Sequence, residues 1–76
     1  MHEREQFFDS AIHTLSTVLL DTENETAKQD LRNTIKHLCL GDVYAAIRCL
    51  SWVSRNLSNE LDCTAVKAIQ TGLRNM

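Results

Sequence analysis

Apolar residues recur at spacings of three and four along almost the whole chain, with no proline and only two glycines to interrupt them. That period matches the α-helix, whose turn of about 3.6 residues puts positions i, i+3, i+4 and i+7 on one face. Ala, Leu, Glu, Gln, Lys and Arg are plentiful, and all are good helix formers. The sequence therefore predicts an all-α fold: a bundle of three or four helices, forming one domain over residues 1–76.

The helices can be placed from their apolar stripes and end signals. Phe8, Ala11, Ile12, Leu15, Val18 and Leu19 mark a first helix over about residues 3–20. Its early turns carry Glu3, Glu5 and Asp9, carboxylates suited to the positive end of the helix dipole. The polar stretch Asp21-Thr22-Glu23-Asn24-Glu25 follows, and Thr22 with Glu25 has the pattern of a capping box opening a second helix. Ala27, Leu31, Ile35 and Leu38 form its buried stripe, and Gly41 is its expected stop. Asp42 is the expected cap of a third helix, which carries Val43, Ala46, Ile47, Leu50, Val53 and Leu57. After Ser58-Asn59-Glu60, Asp62 is the expected cap of a short fourth helix lined by Val66, Ile69, Leu73 and Met76. If Ser58 to Glu60 stays helical, the third and fourth helices run on as one. The expected core is Ile12, Leu15, Leu19, Leu31, Ile35, Leu38, Ile47, Leu50, Val53, Ile69 and Leu73.

At 76 residues the domain is small, and a domain of this size buries only about 60% of the surface its unfolded chain exposes. Such domains gain stability from disulfides, a metal or self-association. Cys39, Cys49 and Cys63 are odd in number, and the charged start Met1-His2-Glu3-Arg4-Glu5 does not read as a secretory leader. Free thiols in a reducing, cytoplasmic compartment are expected. His37 and Cys39 lie two apart, on opposite sides of a helix, and no Cys-x-x-Cys or His-x-x-x-His pair exists, so no metal or other cofactor is expected. Neither His13 nor His37 has a sequence neighbour that marks a nucleophile, and there is no glycine-rich or elbow-like turn, so the chain reads as a non-enzyme. No apolar run approaches the ~20 residues that span a bilayer. Self-association is what remains, and the sequence reads as a homodimer.

Two surfaces are candidates for binding. Lys28, Arg32 and Lys36 recur every four residues as a basic stripe on the second helix. The stripe fits DNA phosphates or an acidic protein, but acidic residues before it and basic ones after it are also the order that complements the helix dipole. The net charge of −2 gives no general attraction to nucleic acid, and DNA is not the favoured partner. On the third helix, Tyr44, Arg48, Ser51, Trp52 and Arg55 fall opposite or beside the core stripe. Tyr, Trp and Arg are the residues most enriched where partners bind. Three readings fit this face: further core beneath the first or fourth helix, a dimer interface, or a site for a different protein.

The Leu40-Gly41-Asp42 corner has the look of a helix-turn-helix, but the helix after it opens Val43-Tyr44-Ala45-Ala46-Ile47, without the polar base-reading residues of a recognition helix. The run from Gly41 to Leu50 is also similar to the second helix of a tetratricopeptide repeat, but it lacks that repeat's first-helix pattern and occurs once.

Leu31, Ile35, Leu38 and Leu40 run into Gly41-Asp42 and on to Ile47, Leu50, Val53, Ile69 and Leu73. In this pattern the chain from Leu31 onward resembles the AriR/YmgB group of small enterobacterial biofilm and acid-resistance regulators, or two-component-system connector proteins. The acidic segment Asp21 to Glu25 and the long first helix depart from that group. The resemblance implies a helical homodimer acting through contacts with signalling proteins in biofilm and acid-stress responses, with DNA binding in some members. It implies no catalytic residue. The expected function is thus a non-enzymatic regulator working by protein–protein contacts. The alternatives are a DNA-associated transcriptional regulator using Lys28, Arg32 and Lys36, and a phage- or plasmid-encoded antagonist of a host protein.

Overall fold

A computed structural model describes residues 3–76, with side chains from residue 5 onward. The Met1-His2 start and the dipole role expected of the Glu3 carboxylate lie outside the described residues. Four helices make up the fold: α1 (Glu3–Asp21), α2 (Glu25–Cys39), α3 (Val43–Asn56) and α4 (Glu60–Arg74). Connections of three residues each, 22–24, 40–42 and 57–59, join them, short enough to make successive helices antiparallel neighbours. The helices α2 and α3 pack most intimately. Because α1 meets α2 and α4, and α3 meets the same two, the chain runs round the four corners of a bundle.

The Gly41 corner forms as its residues dictate. Gly41 has φ +77°, the left-handed region that glycine enters without a Cβ clash. Its N–H donates to the Leu38 carbonyl and the Asp42 N–H to the His37 carbonyl, a Schellman stop for α2. The Asp42 carboxylate then accepts from the Ala45 N–H at 3.1 Å and opens α3. One dipeptide thus ends one helix and begins the next.

The other two caps differ from the sequence reading. Asn24, not Thr22, caps α2 by accepting from the Ala27 N–H at 2.9 Å, while the Thr22 hydroxyl accepts from the Asn24 N–H. Asn59, not Asp62, caps α4, accepting from the N–H groups of Leu61 and Asp62. In both places several capping-type residues stand in a row, and the one used is decided by where packing starts the first turn. Leu57 is extended at φ −91°, ψ 133°, so α3 and α4 are separate. At 15 residues, α4 is a full-length helix rather than a short one.

Of the expected core, Leu15, Leu31, Leu38, Leu50, Val53, Ile69 and Leu73 are buried. Ile12, Leu19, Ile35 and Ile47 are half-buried around them. The innermost positions are shared with smaller residues, Ala11, Val18, Ala27, Ala46 and Val66. Ala27 and Ala46 are wholly buried in α2 and α3, where small side chains let two backbones approach. Met76, expected on the buried face of the fourth helix, is 49% exposed because it lies past the last turn of α4. Between α1 and α4 the Phe7 ring sits directly on Gly72, where a Cβ would stand 2.5 Å from its Cζ. Among the described residues, no helix is long and apolar enough to cross a membrane.

Candidate partner-binding face

Tyr44, Arg48, Trp52 and Arg55 fall within an arc of about 80° on α3 at 100° per residue. The arc is centred opposite Ala46, Leu50 and Val53, which are wholly buried. With the core stripe turned inward, the other four must face out. Tyr44 is 84% exposed and Trp52 55%, so neither α1 nor α4 covers the face and it is not further core. The Arg55 guanidinium carbon lies 5.0 Å from the centroid of the Trp52 ring, a cation–π stack that holds both side chains against the helix.

Ser51 lies at the α4 edge of this face, beside Arg48, Trp52 and Arg55. It turns toward α4, where Gln70 Nε2 donates to its hydroxyl at 2.8 Å and to the Ile47 carbonyl at 3.0 Å. Gln70 is itself buried, and this three-way polar clip fixes the separation of α3 and α4. Beside the clip opens a groove of about 540 Å³, with Val43, Ile47 and Leu73 at its base and Tyr44, Arg48 and Arg74 at its rim. Arg48 joins this groove to the shallow hollows that flank Trp52, so the outward face of α3 is one continuous surface.

Sequence reasoning found the aromatic and arginine residues but missed the α4 half, Gln70, Leu73 and Arg74. A signal for Gln70 was present: it occupies the i+4 place in the stripe Val66, Ile69, Leu73, where an apolar residue is otherwise expected.

The basic stripe of α2 is less uniform than its spacing suggests. Lys28 is drawn to Glu25, Nζ to Oε1 at 3.4 Å. Arg32 and Lys36 are exposed.

At the end of the bundle that holds the 22–24 and 57–59 connections, a polar hollow of about 310 Å³ brings together Asp21, closing α1, and Asp62, in the first turn of α4. One oxygen of Asp62, Oδ2, is covered and meets no donor. A proton shared with the Asp21 carboxyl pushes the Asp62 pKa up to about 6, with loss of solvent and the Asp21 charge acting in the same direction. No sequence signal links these carboxyls, which are 41 positions apart and meet only because α1 and α4 are neighbours.

The three cysteines are free thiols. Burial pushes the Cys49 thiol above its ordinary value, and the Asp30 carboxylate adds to this against the Thr34 hydroxyl and Arg48. Cys63 donates weakly to the Ser54 carbonyl at 3.7 Å. Among the described residues, no three His, Cys, Asp or Glu side chains stand together as a metal site. Comparison with protein-family models, with curated proteins and with solved structures finds no match to the chain.

Proposed function

We propose that this protein is a non-enzymatic regulator that acts by docking on another protein, with Tyr44, Arg48, Trp52 and Arg55 of α3 as the contacting residues. One observation carries the reading. The chain's tyrosine and tryptophan stand out from one face of a helix whose opposite face is fully packed, with an arginine stacked on the indole. Aromatic and arginine side chains held in place on a surface lose little entropy when a partner covers them, and they supply most binding energy at interfaces. The resemblance to the AriR/YmgB regulators supports a signalling context.

The reading is tested by placing a photo-cross-linking amino acid at Tyr44 in cells, with the same substitution at exposed Lys67 of α4 as control. Discrete adducts of higher mass from position 44 and none from 67 are expected. Adducts from Lys67 alone, or from neither, would overturn the reading. An adduct of exactly doubled mass would instead make the contact a homodimer.

The runner-up, a DNA-associated role, draws on Arg32 and Lys36, both exposed on α2. It requires binding whose log affinity falls with log salt at a slope near −0.9 per phosphate contact. No binding to duplex DNA at low salt removes it.

A further inference from the structure

The charge of the α3 face is as specific as its shape. Along Val43–Asn56 there is no acidic residue, although the chain as a whole carries net charge −2. Asp42, the nearest carboxylate in sequence, is engaged in capping α3. Arg48 and Arg74 thus stand at the apolar groove and Arg55 at the neighbouring hollow beside Trp52, and α3 carries no carboxylate to balance its own two arginines.

A second copy fits poorly. A two-fold contact places the same patch on itself, so α3 against α3 brings Arg48 and Arg55 of both copies together with no acidic residue between them. Nucleic acid answers the charge but not the groove, whose base is Val43, Ile47 and Leu73. The occupant must be both acidic and apolar.

The dimensions narrow it further. From Tyr44 to Arg55 the face runs about 16 Å, three turns of helix at about 1.5 Å per residue. Arg48 and Arg55 are seven positions apart, two turns or about 10 Å along the axis. A helix lying along α3 meets both arginines with carboxylates spaced two turns apart; the apolar residues between them cover Trp52, and those beyond the Arg48 end enter the groove.

We infer that this face receives an acidic amphipathic helix of a partner protein, with apolar side chains entering the α3–α4 groove and covering Trp52 while two carboxylates two turns apart meet Arg48 and Arg55. This rests on the docking reading above and names its partner by chemistry. Buried from water beside the indole, the arginine–carboxylate contacts select the partner's charge, and the groove supplies the apolar contact.

The test uses a labelled helical peptide of about fifteen residues, with two glutamates seven apart and leucine and phenylalanine both between and beyond them, titrated with the full chain by fluorescence anisotropy. The same peptide with lysines for the glutamates is expected to bind at least about tenfold more weakly. The pair R48E and R55E should reverse that preference. The pair R32E and K36E, an equal change of charge on α2, should leave the affinity within about twofold. All four positions are exposed, so helicity by circular dichroism should match the parent. Equal binding of the two peptides, or an equal loss from the α2 and α3 variants, overturns the inference. So does displacement of the peptide by duplex DNA, or a dimer in sedimentation that W52A dissolves and the peptide does not. If no acidic peptide binds while Tyr44 still cross-links in cells, the partner class is wrong and the docking reading stands. If cross-linking fails as well, the docking reading falls with it.

Discussion

Leu50 and Trp52 are two residues apart on the same helix, yet the leucine is wholly buried and the larger, mostly apolar tryptophan is more than half exposed. The inward face carries Ala46, Leu50 and Val53, and the outward one the larger side chains. What separates them is whether a neighbouring helix lies across them: α2 and α4 close over Ala46, Leu50 and Val53, and nothing closes over Tyr44, Arg48, Trp52 and Arg55. Burial here follows packing geometry rather than hydrophobicity, and an aromatic left outside by that geometry is surface the fold does not need for itself.

Leu50→Ala makes the sharpest test of this contrast. Removing a fully buried leucine should cost about 3 kcal/mol, from a total of roughly 4–11 kcal/mol for 76 residues at ~0.05–0.15 kcal/mol each. Urea unfolding followed by circular dichroism should show the midpoint fall by a large fraction. A loss below about 1 kcal/mol would mean that the inward face is not the packed one.

Gln70→Ala probes the border between the faces. It removes two hydrogen bonds that join α4 to Ser51 and Ile47 of α3, and a loss of about 1–2 kcal/mol is expected in the same unfolding experiment. Because the clip sets one wall of the groove, binding to the outward face should weaken with it.

Asp62→Asn alters stability at a distance from both faces. With a folded pKa of about 6 against an ordinary 3.8, the folded chain holds a proton between those values that the unfolded chain releases. The stability this gives is full below about pH 4 and is lost as pH rises through about 6. The amide donates to Asp21 at every pH, so the variant should melt several degrees above the parent at pH 7.5 and show little difference at pH 4.5. Trp52 fluorescence should be unchanged throughout. A pH-independent difference would mean that the two carboxyls share no proton.

Trp52→Ala should have the smallest effect on folding. The stack with Arg55 is lost, worth about 0.5–1 kcal/mol at an exposed site, with the partial cover of a ring that is 55% exposed, so the unfolding midpoint should stay far closer to the parent's than that of Leu50→Ala. A loss approaching that of Leu50→Ala would erase the distinction between the faces.

The all-helical fold, the Gly41-Asp42 corner and most of the core could be read from residue order alone, because helical periodicity, a left-handed glycine and an adjacent capping aspartate are local properties of the chain. The aromatic and arginine face was legible for the same reason: a helix of known phase puts Tyr44, Arg48, Trp52 and Arg55 opposite Leu50. Which asparagine caps α2 and α4 was not legible, since Thr22, Asn24, Asn59 and Asp62 are all competent and a packed neighbour decides among them. Only the tertiary structure could turn Ser51 toward Gln70, leave Tyr44 and Trp52 uncovered, place Arg74 beside Arg48, and bring Asp21 against Asp62. Each of these depends on which helices become neighbours, and that is settled by burying four stripes at once rather than by any one of them.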